Sequence, residues 1–143
     1  MPTVKDIMTK DVVTIDASKS VFEASQLMSS KSVGCLVVVI KEFPVGIITE
    51  RDIVRRIVAT RGSPDAKVAE IMTKKLITVE PDTSLKDAAR LMSTKKIRRL
   101  PVLKNNKLVG IVAASDFVRN VGKKTTAEEI LDALGRYPTG NRV

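Results

Sequence analysis

Two aspartates carry the chemistry that this chain offers most directly. Asp52 closes the stretch Gly46-Ile47-Ile48-Thr49-Glu50-Arg51-Asp52, and Asp116 closes Gly110-Ile111-Val112-Ala113-Ala114-Ser115-Asp116. Each follows an apolar, β-branched run, so each is placed where a strand gives way to a helix. Thr49 and Asp52 have the spacing of a helix cap, an arrangement that contributes about 0.5–2 kcal/mol to helix stability. The same residues also suit a ligand. Free amides and the dipole at a helix entrance attract a phosphate, and a carboxylate accepts hydrogen bonds from two vicinal sugar hydroxyls. Ala113 replaces the threonine ahead of Asp116, so a Thr-x-x-Asp box cannot account for that acid; the dipole alone favours it by about 0.3–1 kcal/mol. Cap and ligand contact therefore both stand as readings, with Ser115 as an alternative hydroxyl beside Asp116.

What is missing narrows the chemistry further. The chain contains no histidine and a single cysteine, Cys35. That excludes Ser-His and Cys-His nucleophile pairs, imidazole acid–base catalysis, His-containing zinc sites and an internal disulfide. Carboxylate and lysine chemistry and carboxylate–phosphate magnesium sites stay open. There is no GxGxxG, and the GKKT at 122–125 is no P-loop, since Phe117 takes the place of the first glycine and Lys124 that of the Ser/Thr. The expectation is a protein that binds and does not catalyse, with no metal.

Composition sets the frame around these residues. A chain of 143 residues, 43% hydrophobic, has material for one compact domain or two small ones. The start, MPTVKDIMTK, lacks an apolar signal core, and the longest apolar run, Cys35 to Ile40, falls far short of the roughly 20 residues of a membrane span. A lone cysteine fits a reducing compartment, and a cytoplasmic protein with no membrane segment is expected. The net charge of +9 is unevenly spread: residues 1–61 carry 9 basic and 7 acidic residues, residues 62–121 carry 12 and 6, and the remainder 4 and 3. A basic second half attracts nucleoside phosphates, nucleic acid or an acidic protein. With aromatics at only 3%, stacking platforms for single-stranded nucleic acid are lacking, which weakens that partner.

The elements that must position the two acids come as a repeat. The segment from Val4 recurs from Val68 at a fixed offset of 64 residues, with about 20 identities in the 54 positions 4–57. Residues 1–61 and 68–122 are the two copies, 62–67 the linker and 123–143 a tail. After an IMT lead-in, VVTI and LITV read as strands. A helix follows in each copy, entered through Ser20 with Glu23 or Ser84 with Asp87, and carrying Ala24, Leu27 and Met28 or Ala88, Leu91 and Met92 on one face. Val37–Ile40 and Leu100–Leu103 read as strands leading through turns (Glu42, Phe43, Pro44; Asn105, Asn106, Lys107) into VGII and LVGIV. The second helices are expected to face inward with Ile53, Val54, Ile57 and Val58, and with Phe117, Val118 and Val121. Each copy is thus an α+β unit, β-α-β-β-α, too small to be comfortable alone, and pairing of the copies about a pseudo-two-fold axis, packed sheet to sheet, is expected.

Together the IMT lead-in, the SxxEAxxLM-like helix, the RRLPV strand and the GIITERD turn resemble the CBS (cystathionine β-synthase) domain, here as a tandem pair or Bateman module covering about residues 4–121. The resemblance implies a regulatory module, commonly a homodimer, that binds AMP, ADP, ATP or S-adenosylmethionine in clefts between the repeats and signals to an effector protein. It places Thr49 near phosphate and Asp52 and Asp116 on ribose. A basic residue near Arg98, with Arg99 second, reaches phosphate; Gly34 stands at the corresponding place of the first copy, so the two sites are expected to be unequal. Val12, Val13, Thr14, Leu76, Ile77 and Thr78, with Ile48 and Val112, would line the base, or simply fill the core. The tail presents Ala127, Ile130, Leu131 and Leu134 at helical spacing behind a Thr126–Glu129 capping pair, an amphipathic helix expected to pack on its own module or across a dimer.

Overall fold

The computed structural model describes residues 2–120. The tail helix expected from Thr126, and Val121, lie outside the described residues. The chain divides into two compact units: one is Val12–Leu76, the other combines the residues up to Asp11 with those from Ile77 onward. Compact unit and sequence repeat are therefore different divisions, because each IMT lead-in belongs with the other copy's strands.

In the Val12–Leu76 unit, strands β1 (Thr14–Asp16), β2 (Cys35–Ile40) and β3 (Phe43–Thr49) form one sheet in the order β1-β2-β3. β1 runs parallel to β2, which requires a crossover, and helix α2 (Val21–Lys31) supplies it. The Ser20 hydroxyl accepts the Glu23 amide at 3.0 Å to start α2, and Ser32, at φ 55°, ends it in the left-handed conformation. Apolar side chains from these elements, among them Ile15, Val21, Ala24, Met28, Leu36 and Ile48, bury into one core.

The β2–β3 turn is made by Lys41 and Glu42, at φ 49° and 71°, while Phe43 and Pro44 already belong to β3. The turn expected at Glu42-Phe43-Pro44 is thus one residue too late. A two-residue hairpin of the I′ kind needs positive φ at both central positions, a geometry that Asn105 and Asn106 (φ 54° and 65°) tolerate in the second copy and that Lys-Glu does not favour.

The second helix of this copy begins as α3 (Glu50–Ile53) and continues as a π-helix over Val54–Val58. Only the stripe of Ile53 and Ile57, four residues apart, packs on the core. Ile57 is buried, but Val54 and Val58, expected inside, are 57% and 67% exposed. A short helix, α4 (Val68–Ile71), follows, and the Arg56 guanidinium donates to the Ile71 carbonyl at its end, at 3.0 Å.

In the other unit, α1 (Val4–Ile7), α5 (Leu85–Lys95), the hairpin β4 (Arg99–Lys104) and β5 (Lys107–Ala113), and α6 (Ala114–Arg119) enclose a core that includes Val4, Leu85, Met92, Leu100 and Phe117. Phe117 faces inward as expected, whereas Val118 is 53% exposed.

LITV, expected as a strand, is reduced to a single bridge between Val79 and Val102, with Val79 N–H donating to the Pro101 carbonyl (3.1 Å) and Leu103 N–H to the Val79 carbonyl (2.9 Å). The first copy shows why. There, Val37 N–H donates to Val13 (3.3 Å) and Ala17 N–H to Val39 (2.9 Å), extending the ladder on both sides. Their counterparts 64 residues on are Pro101 and Pro81, which have no N–H. Two prolines remove the two outer bonds and leave the inner pair.

The glycines ahead of the two acids serve the lead-ins. Thr73 exchanges backbone bonds with Ile47 (2.9 and 3.1 Å), and Thr9 does the same with Ile111 (2.9 Å each way). A Cβ on Gly46 would lie 2.7 Å from Met72 Sδ and 2.8 Å from the Thr73 oxygen; on Gly110 it would meet Met8 and the Thr9 oxygen. Neither glycine has a positive φ. They are required for close approach of a second backbone, not for a turn.

Candidate functional site

In the Val12–Leu76 unit the end of β3 delivers Thr49 beside Cys35, the first residue of β2, and the Glu50 amide donates to the Gly34 carbonyl at 3.0 Å. On the other side of β2, Thr14 opens β1 opposite Val37, and Val13 accepts the Val37 amide. Val13, Thr14, Gly34, Thr49 and Asp52 are thereby gathered at one end of one sheet, with Val12 leading into it. Thr14 is exposed there and also borders an open groove of about 950 Å³ that continues along Asp16, Lys19, Glu23 and Leu27. Ile48 is fully buried in the core behind this edge. Leu76 donates its amide to Lys74 and has no strand pairing among the described residues.

The Thr49–Asp52 pair forms a complete reciprocal cap. Asp52 Oδ2 accepts the Thr49 amide (2.9 Å) and hydroxyl (3.1 Å), while the Thr49 hydroxyl oxygen accepts the Asp52 amide (3.2 Å). All of this falls on one carboxylate oxygen. Asp52 Oδ1 makes no hydrogen bond among the described residues, and the side chain is half-buried. An ionised carboxylate offers about four acceptor positions, so the cap leaves capacity for further donors.

In the other unit the same frame is built with different contacts. Arg99 pairs with Ala113 and Leu100 with Val112 across β4–β5, and the Ala114 amide donates to the Arg98 carbonyl at 2.9 Å. Arg98 is exposed and Arg99 half-buried, and neither makes an ion pair among the described residues. Ile77 and Thr78, both half-buried, precede the Val79 bridge; Val112 is wholly buried.

Asp116 is 4% exposed, the one buried charged residue among those described. Its Oδ2 accepts the Ala113 amide at 2.7 Å, and its Oδ1 is held by the Arg119 guanidinium. Ala113 has no oxygen with which to return the bond, so the cap is one-sided. Ser115 is exposed and makes no hydrogen bond among the described residues. Arg119 is not singled out by the sequence, although its contact with Asp116 has a signal there in the i, i+3 spacing, repeated as Asp52 and Arg55.

At the far end of β1, Asp16 Oδ1 accepts both the Ser18 hydroxyl (2.6 Å) and amide (2.9 Å). The hydroxyl bond, then the amide bond, hold the Asp16 carboxyl below its ordinary value. No group of three or more potential metal ligands occurs among the described residues, and no helix among them is long and apolar enough to cross a membrane.

The family model of the CBS domain matches the chain twice, over residues 4–59 and 68–123. The CBS domain-containing protein YhcV of Bacillus subtilis is 40% identical over 120 residues, spanning 84% of this chain and 86% of its own. A putative signal-transduction protein with CBS domains from Burkholderia ambifaria MC40-6 is similar in structure with TM-score 0.80 at 34% identity, covering 87% of this chain and 96% of that one. The CBS domain pair of protein MJ0100, solved in complex with 5-methylthioadenosine and S-adenosyl-L-methionine, matches with TM-score 0.79 at 31% identity over 87% of this chain and 99% of that one. Two copies of one unit, each ending its hairpin in a helix-capping aspartate, place this chain in the CBS domain family as a tandem pair.

Proposed function

We propose that the chain is a regulatory module that binds an adenosine ligand, AMP, ADP, ATP or S-adenosylmethionine, and performs no catalysis of its own. The observation that carries this reading is Asp52: a carboxylate capping its helix with one oxygen and leaving the other unbonded among the described residues, at a sheet end shared with Val13, Thr14 and Gly34. A ribose diol donates two hydrogen bonds and suits that oxygen. In the other unit Asp116 is the corresponding acid, and Arg98 and Arg99 are the cations suited to phosphate oxygens. Binding of 5-methylthioadenosine and S-adenosylmethionine by the structurally similar MJ0100 pair supports the choice of an adenosine compound. Occupancy signals only if the ligand binds two states of the module unequally, and the receiver is an effector protein or the second subunit of a homodimer.

The test is calorimetry and thermal shift with each adenosine compound. A ligand at a hundred times its dissociation constant adds about 2.7 kcal/mol of stability. Asp52→Asn retains an oxygen for the Thr49 amide but loses the second acceptor, so affinity should fall while the melting temperature changes little. Absence of binding by every adenosine compound would end this reading.

A second reading has its own observation: Lys95, Lys96, Arg98 and Arg99 lie together without ion pairs among the described residues, a surface suited to a polyanion or nucleic acid. It predicts binding to short RNA or DNA that falls steeply with salt and is indifferent to Asp52→Asn.

A further inference from the structure

We infer that Arg119 is a built-in occupant of the second acid, so that the unit holding Asp116 takes an adenosine ligand only when Arg119 lets go, while Asp52 is open from the start. This rests on the adenosine reading above and adds to it which of the two acids is available and what decides that.

The two copies differ at one position that matters here. Thr49 donates its hydroxyl to Asp52; the corresponding Ala113 has none to give Asp116. A carboxylate at 4% exposure with only one amide donor would be badly under-solvated. Arg119, one helical turn on, supplies the missing donor and the opposite charge. The first copy has the same arginine, Arg55, at the same spacing, yet Arg55 makes no ion pair among the described residues. Asp52 already has the threonine hydroxyl as a second donor, and the first-copy helix passes to π winding at Val54 where α6 stays α-helical through Arg119.

The consequence for a ligand follows from counting acceptors. At Asp52 a diol finds Oδ1 unbonded; at Asp116 it finds Oδ1 bonded to a guanidinium that must first be displaced. A charge-assisted bond of this kind lowers affinity by about 10- to 100-fold relative to an open acid. The Arg119 side chain is 68% exposed, so it has room to swing away into solvent.

The test titrates the full chain separately with AMP, ATP and S-adenosylmethionine by calorimetry. Wild type should show one tight site per chain, lost in Asp52→Asn. Arg119→Gln should reveal a second site at least about tenfold tighter than before. Arg119→Lys keeps the charge but loses the planar guanidinium fork and should reveal the same second site more weakly, which covers the case that Arg119→Gln fails to fold. Two equal tight sites in wild type would overturn the inference, as would a single site in both folded Arg119 variants; in either case the adenosine reading survives. No heat with any of the three compounds in wild type or variants would remove the adenosine reading and this inference with it.

Discussion

Gly46→Ala tests whether the lead-in contact is as tight as its geometry states. The added Cβ would stand 2.7 Å from Met72 Sδ, 3.2 Å from Met72 Cγ and 2.8 Å from the Thr73 carbonyl oxygen. A methionine has three rotatable bonds and can move aside, although this one is 8% exposed and has little room. The carbonyl cannot move without stretching its 3.1 Å bond from the Ile47 amide. Overpacking of this kind costs about 1–3 kcal/mol, and weakening one bridge bond adds about 1 kcal/mol. Removing a glycine's freedom in the unfolded chain returns about 0.4–1 kcal/mol. The net loss is about 2 kcal/mol, a fall in melting temperature of roughly 8 °C at about 4 °C per kcal/mol. Calorimetry of the full chain reads it directly. In a Met72→Ala background the cost should shrink but persist, because the Thr73 oxygen remains. Gly110→Ala should cost less, since the half-buried Met8 takes the first contact and the Thr9 oxygen stands at 3.0 Å. A melting temperature unchanged or raised by Gly46→Ala would refute the reasoning, because alanine is otherwise the more stable choice at a negative φ.

Other consequences are as direct. Pro101→Val restores a donor opposite Ile77 and should produce a slowly exchanging amide at position 101, read by hydrogen exchange; fast exchange there would mean that the prolines do not set the strand's length. Replacing Lys41-Glu42 by Asn-Gly relieves two left-handed non-glycine residues and should stabilise by about 1–2 kcal/mol in urea unfolding. Thr49→Ala removes the hydroxyl half of the reciprocal cap and should cost about 1 kcal/mol by the same assay. Because Asp16 titrates below its unfolded value, its contribution is present above the ordinary carboxylate range and is lost as pH falls through the depressed folded-state value; Ser18→Ala should flatten that acid limb in a stability–pH curve.

The repeat, the Ser20 and Ser84 caps and the paired strands are written locally, in periodicity and capping residues, so they are legible in the residues themselves. What is not legible depends on partners distant in the chain. β-branched residues suggest a strand at 76–79, and how far it extends is decided by Pro81, two residues on, together with Pro101, more than twenty residues on, neither of which has an N–H to give. Val54 and Val58 are apolar enough for an inward face, but the core takes only the Ile53–Ile57 stripe, and their exposure, shared by Val118, is not a property of their own types. The acids themselves stand out by spacing. Their inequality lies in which oxygens are already taken, since Arg55 and Arg119 are identical in sequence and different in contact. The exchange of lead-ins hides for the same reason: nothing near Met8 or Thr9 names Gly110 or Ile111 as the partner.

That exchange also sets an order of events during synthesis. The Val12–Leu76 unit is continuous and has all its residues once Leu76 has emerged. Val4 and Met8, which belong to the other core, have to wait for Thr9 to meet Ile111, roughly 100 residues later, or about 5–20 s at 5–20 residues per second. For that interval a nascent chain carries an unburied apolar segment ahead of a unit that can already fold. Synthesis therefore makes the Val12–Leu76 unit foldable early and leaves the segment around Val4 and Met8 waiting for β5, a point at which chaperones, or a neighbouring nascent chain of the same kind, have time to act.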